Sequence, residues 1–152
     1  MERIASFCVD HTTLMPGMYL SRQDGEVRTW DVRMKRPNHG DYLSPAVAHT
    51  IEHLFATYAR NSRWSDHVVY VGPMGCLTGF YLLTQGMTDG EALQLTTEAF
   101  AWMADYDGPI PGASETECGN YRLMDPDGAR KECRTMLDVL QKLDADHLRY
   151  KL

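Results

Sequence analysis

Trp30, Val32 and Met34 alternate with Asp31, Arg33 and Lys35, a period of two that marks a strand with one buried and one polar face. This strand, expected over 26–35, follows Asp24-Gly25, a two-residue hairpin signal that pairs it with a strand over 18–23. The period then changes. Val47, Ile51, Leu54, Phe55 and Tyr58 form an apolar stripe at helical spacing, with Ser44 as N-cap and Pro45 at the first helical position, which predicts a helix over 45–61. Two strands are expected over 67–71 and 77–84, joined through Gly72-Pro73-Met74-Gly75-Cys76. Thr88 and Glu91 have the spacing of a capping box and predict a second helix reaching residue 105. A Gly- and Pro-bearing loop should cover 107–120, and Asp125-Pro126 opens a third helix running to about residue 143. Strands and helices mix without regular alternation. The expected class is α+β, a small antiparallel sheet with helices packed on one face.

Composition narrows this. A chain of 152 residues fits one domain, 1–152, around a single core. No apolar run approaches the roughly 18 residues of a membrane span. The opening Met1-Glu2-Arg3-Ile4-Ala5-Ser6-Phe7 lacks the apolar core of a signal peptide, so the expected location is cytoplasmic, with no membrane partner. A formal charge of −6 argues against a nucleic-acid partner, because phosphate binding needs a basic surface. The basic cluster Arg33, Lys35 and Arg36 reads as a solvated strand end. Cys8, Cys76, Cys118 and Cys133 should stay reduced in that setting and free for metal or chemistry. Cys133, beside Met136 and Leu137, reads as packing, and so does Cys8, placed in a strand between Phe7 and Val9.

The strongest local signal is His49-Thr50-Ile51-Glu52-His53. Residues four apart share a helix face, so both imidazoles can reach one cation, with Glu52 on the adjacent flank. The order His-x-x-Glu-His reverses the common metalloprotease order and is a metal motif in its own right. Histidines at this spacing also occur as plain hydrogen-bonded residues, so a third ligand is needed. Cys118, in the expected loop, can supply a thiolate and leave a fourth tetrahedral position open. A buried cysteine without function is the plainer reading of Cys118, and His11, His39 and His67 are rival ligands. Cys76 differs: the glycines of Gly72-Pro73-Met74-Gly75-Cys76-Leu77-Thr78-Gly79 let backbone approach a ligand closely. A thiol held near a cation favours its thiolate, which serves as base or nucleophile. The bland alternative is a cysteine chosen for its small size at a turn.

Taken in order, Ser6-Phe7 with Asp10-His11, Asp31-Val32-Arg33 with Pro37-Asn38, His49-Thr50-Ile51-Glu52-His53-Leu54, Pro73-Met74-Gly75-Cys76 with Thr78-Gly79-Phe80-Tyr81, and Glu117-Cys118-Gly119-Asn120 resemble the S-ribosylhomocysteine lyase (LuxS) family. The resemblance spans most of the chain. It implies a homodimer with shared active sites and one divalent metal per subunit, natively iron(II) and replaceable by zinc or cobalt. The implied ligands are His49, His53 and Cys118, with Glu52 and Cys76 as catalytic acid-base residues. Arg33, Ser6 and His11 are implied substrate-binding residues, Ser6 and His11 coming from the partner subunit. The implied reaction moves the carbonyl of S-ribosylhomocysteine along the sugar, then eliminates homocysteine to leave 4,5-dihydroxy-2,3-pentanedione, precursor of the quorum-sensing signal autoinducer-2. Tyr70 and Gly72 depart from the family, where Asp and Ser are expected, which bears on recognition of the amino-acid end.

Two rival readings remain at this level. A metallopeptidase-like hydrolase would use Glu52 to activate water, with a carboxylate as third ligand in place of Cys118. A non-enzymatic structural metal module would close the site with a fourth protein ligand such as Cys76.

Overall fold

The computed structural model describes residues 1–151. Four strands, β1 (Gly17–Asp24), β2 (Val27–Arg33), β3 (Val68–Pro73) and β4 (Gly79–Gln85), form one antiparallel sheet in the order β1-β2-β4-β3. Three helices, α1 (Pro45–Asn61), α2 (Asp89–Asp105) and α3 (Pro126–Leu140), complete the α+β fold. Among the described residues no helix is long and apolar enough to cross a membrane.

Local chemistry explains the helix starts. Ser44 Oγ accepts from Val47 N at the head of α1, and Thr88 and Glu91 exchange both bonds of a capping box at α2. Asp125 accepts from Gly128 N at α3, where Pro126 occupies a position whose N–H would be unused. α3 ends at Leu140, three residues short of expectation, in a turn whose Gln141 N–H returns to Leu137 O.

The helices cover one face of the sheet. Trp30, Val32, Phe80, Leu82 and Val71 point into a core shared with Ile51, Leu54 and Phe55 of α1 and with Leu95, Phe100 and Met136. Cys133 is fully buried there, as its neighbours foretold. The other face carries Tyr19, Asp31 and Tyr81 in one row across β1, β2 and β4, and Arg33 between Gly17 and Gly79 in the next. The expected polar face of β2 is not solvated: Asp31 is 1% exposed, Arg33 3% and Lys35 9%. Only Arg36 of the basic cluster is exposed.

Lys35 lies past the end of β2 and pairs with Asp41 and Glu132, whereas the C-terminal segment covers Asp31. Leu148 O accepts from Leu20 N at the free edge of β1, and the Tyr150 ring stacks on Tyr19. The Tyr150 hydroxyl reaches through to donate to Asp31 Oδ2. At the other terminus, Cys8 is a second correction. It follows a 3₁₀ turn over Ala5–Phe7 rather than lying in a strand, and it is exposed rather than packed.

Candidate active site

α1 directs its apolar stripe at the sheet, which leaves His49, Glu52 and His53 half-buried on its flank. The long loop between α2 and α3 closes over that flank. Its Leu123 O accepts from His49 Nδ1 at 2.8 Å, and Pro111 O accepts from His53 Nδ1 at 2.7 Å. A carbonyl can only accept, so each Nδ1 carries its proton and each neutral ring presents a bare Nε2.

Those two Nε2 atoms lie 3.1 Å apart, and Cys118 Sγ is 3.4 Å from His49 Nε2. The donor atoms of His49, His53 and Cys118 all fall within 4.8 Å of one another. Two lone pairs and a thiol sulfur converging at this range repel unless a cation or a proton lies between them. The donor set therefore fits a metal ion, and the Nδ1–carbonyl bonds are the outer contacts that fix ring orientation in such sites. Gly112, at φ +71°, lets the loop pass against His53: a Cβ there would come within 3.1 Å of Nδ1.

The rival histidines are elsewhere. The ring of His11 bonds Val9 O, that of His39 bonds Pro37 O and that of His67 bonds Gln85 O, and none joins the donor cluster among the described residues.

A second feature is a cleft of about 440 Å³, in the size range of small-molecule pockets. Ser6, His11, Arg33, Asn38, Cys76 and Tyr81 are among the residues lining it. Ser6 and His11 thus share a cleft with Arg33 and Cys76 of their own chain. His49, Glu52, His53 and Cys118 are not among its lining residues. Arg33 projects from the face of the sheet opposite the one α1 covers.

Arg33 is held firmly. Its Nε and Nη2 donate to the two oxygens of Asp31 at 3.1 and 2.7 Å, and Nη1 donates to Thr78 Oγ1 at 2.8 Å. Burial opposes its charge, yet the bonds to Asp31 and the Asp31 charge outweigh that and raise the guanidinium above its ordinary value. Three N–H donors are thereby used, and two are left for a ligand. Cys76 is exposed, with Sγ 3.0 Å from Thr78 Oγ1. Between them Leu77 adopts φ +63°, a conformation costly for a branched residue, which turns both neighbours toward the guanidinium.

Tyr70 and Gly72 are neighbours on β3. The exposed Tyr70 ring lies over Gly72, where a Cβ would come within 2.5 Å of it, so a side chain at 72 would displace the ring from its present place.

The fold is α+β, with a cluster of three donors that could hold one metal ion and a separate cleft bearing a cysteine and a buried arginine. Residues 4–146 match the model of the family S-ribosylhomocysteinase (LuxS), and the chain belongs to that family. It is 47% identical to the S-ribosylhomocysteine lyase of Phocaeicola vulgatus, covering 99% of this chain and 98% of that one. It is 45% identical to that of Desulfotalea psychrophila and 44% identical to that of Clostridium acetobutylicum, each with 99% of both chains covered.

Proposed function

We propose that this chain is a carbon–sulfur lyase acting on S-ribosylhomocysteine, working in the cytoplasm as a single-domain homodimer. The observation that carries the reading is the convergence of His49 Nε2, His53 Nε2 and Cys118 Sγ, with both Nδ1 protons spent on carbonyls, in a chain of this family. These three residues would hold one divalent ion per subunit, natively iron(II), with zinc or cobalt(II) as substitutes. When bound, the ion supplies Lewis-acid polarisation of sugar oxygens, worth several kcal/mol of charge stabilisation.

The chain's own groups handle the protons. The thioether leaves only after the sugar carbonyl has moved from carbon 1 to carbon 3, where it acidifies the proton on carbon 4. Each carbonyl shift removes a proton from one carbon and returns one to its neighbour. In this reading Cys76 Sγ and the Glu52 carboxylate carry them. The two free N–H groups of Arg33 stabilise the developing enediolate, and Ser6 and His11 bind sugar hydroxyls. Elimination then breaks the bond from carbon 5 to sulfur, releasing homocysteine and 4,5-dihydroxy-2,3-pentanedione, the autoinducer-2 precursor.

Two features favour a second copy completing the site. The cleft with Cys76 and the donor cluster of His49, His53 and Cys118 have no residue in common. Around the cleft's face Phe7 is 65% exposed, Tyr70 54% and Met15 51%, apolar surface that a partner chain would cover. The division is thus between the cleft of one subunit and the metal cluster of the other, with Ser6 and His11 belonging to the Cys76 half. The rival readings lose their support: Cys76 is not part of the donor cluster that a closed structural site would need, and a thiol rather than a carboxylate is the third donor.

The test is subunit mixing, read as homocysteine released from S-ribosylhomocysteine. Cys76→Ala and His53→Ala chains should each be inactive, and after exchange should recover about a quarter of wild-type activity, since half the dimers carry one intact site of two. A wild-type protein that releases no homocysteine overturns the lyase reading. An active wild type with no recovery after verified exchange overturns the shared site alone.

A further inference from the structure

Thr78 joins the two groups that the proposed chemistry uses in the cleft. It is 2% exposed, and its hydroxyl oxygen is bonded by Arg33 Nη1 at 2.8 Å and lies 3.0 Å from Cys76 Sγ. A guanidinium has no acceptor, so the first contact fixes Thr78 as acceptor from Arg33. A thiolate has no proton, so in the reactive form of Cys76 the second contact runs only one way: Thr78 donates to sulfur. Its single proton and one lone pair are then both committed, and the two bonds polarise each other.

The geometry points to Thr78 as a positioning residue that holds the Cys76 thiolate in place and passes to it part of the charge of Arg33. This inference rests on the proposed role of Cys76 as a proton carrier, but not on the identity of the substrate. Arg33 cannot drift toward the sulfur, because Asp31 grips it at two atoms and Tyr150 holds Asp31 from the other side. The relay therefore runs from the C-terminal segment to the reacting thiol: Tyr150 to Asp31, Arg33 to both Asp31 and Thr78, Thr78 to Cys76. The left-handed Leu77 allows residues 76 and 78 to face one point.

The experiment needs no substrate. Metal-loaded protein is treated with iodoacetamide at pH 7, and alkylation of each cysteine is followed by peptide mass spectrometry. Exposed Cys8 is the internal reference for reagent, and buried Cys133 reports loss of the fold. Thr78→Val keeps the shape and removes the hydroxyl, and should slow Cys76 at least about fivefold while Cys8 is unchanged. Thr78→Ser, which keeps the hydroxyl, should restore the rate to within about twofold. Where Cys133 becomes reactive in Thr78→Val, the smaller Thr78→Ala carries the same expectation. Cys76 reacting as fast as wild type, or faster, in a folded hydroxyl-free variant overturns the relay. So does failure of Thr78→Ser to rescue. If the wild type released no homocysteine yet showed this alkylation pattern, the lyase reading would fall and the relay would stand.

Discussion

Replacing Asp31 by Asn tests whether the buried polar face of β2 is held by charge. Asp31 and Arg33 are 1% and 3% exposed, and the carboxylate takes two bonds from the guanidinium and one from the Tyr150 hydroxyl. Asn is the same size, so nothing is lost in packing. What is lost is the counter-charge of a guanidinium that stays buried, and breaking such a pair costs about 3–5 kcal/mol. Tyr150→Phe is the contrast. It removes one donor to a charged group that keeps its main partner, a loss of about 1.5–3 kcal/mol. At a urea dependence of about 2 kcal/mol per molar, Asp31→Asn should lower the unfolding midpoint by about 2 M and Tyr150→Phe by about 1 M, at fixed protomer concentration. The double variant Asp31→Asn with Arg33→Met removes the orphaned charge as well and should be more stable than Asp31→Asn alone. A shift under about 0.5 M for Asp31→Asn, or a double variant less stable than the single one, would refute the reasoning.

Two further outcomes concern the site. His53→Ala and Cys118→Ala should each lose most of the roughly one metal ion per chain carried by the wild type, read by elemental analysis; full occupancy in either removes that residue from the ligand set. Cys76→Ala and Glu52→Gln should both abolish homocysteine release with metal retained, but they should stop at different stages. Cys76→Ala should exchange little substrate-bound hydrogen into heavy water, whereas Glu52→Gln should accumulate ketose intermediates visible by carbon NMR. Identical blocks would remove the division of labour.

The order and type of elements were legible because local signals agreed with the global fold. Asp24-Gly25 set the hairpin, Ser44-Pro45 and Thr88 with Glu91 set the first two helix starts, and the spacing of Val47, Ile51 and Leu54 set the face that α1 buries. His49 and His53 were legible for the same reason, since periodicity alone puts them on one flank. Less legible was anything decided by partners distant in sequence. The alternation in β2 separated Asp31 and Arg33 from Trp30 and Val32 correctly, but it cannot say what covers the second face. That cover comes from Tyr150, 119 positions away, and from Tyr19 and Tyr81 on the flanking strands. Thr78 received no role because a threonine two residues from a cysteine carries no signal until Arg33 is seen to bond it.

The division of the proposed site follows from two periods meeting at one sheet. A period of two sends Val32 to the helices and Arg33 to the opposite face, and the Gly75-Cys76-Leu77 turn delivers Cys76 to Arg33 through Thr78. A helical period sends Ile51 and Phe55 into the core and so turns His49 and His53 along the flank of α1, beneath the loop that carries Cys118. Within one chain, Cys76 lines a cleft that none of the three donors enters. A second copy is the economical way to bring them together, because two-fold symmetry that sets one cleft against one cluster sets the other pair as well. Tyr150→Phe, which loosens the open face of the sheet and the hold on Asp31, should then lower activity through the pairing of subunits as well as through Arg33.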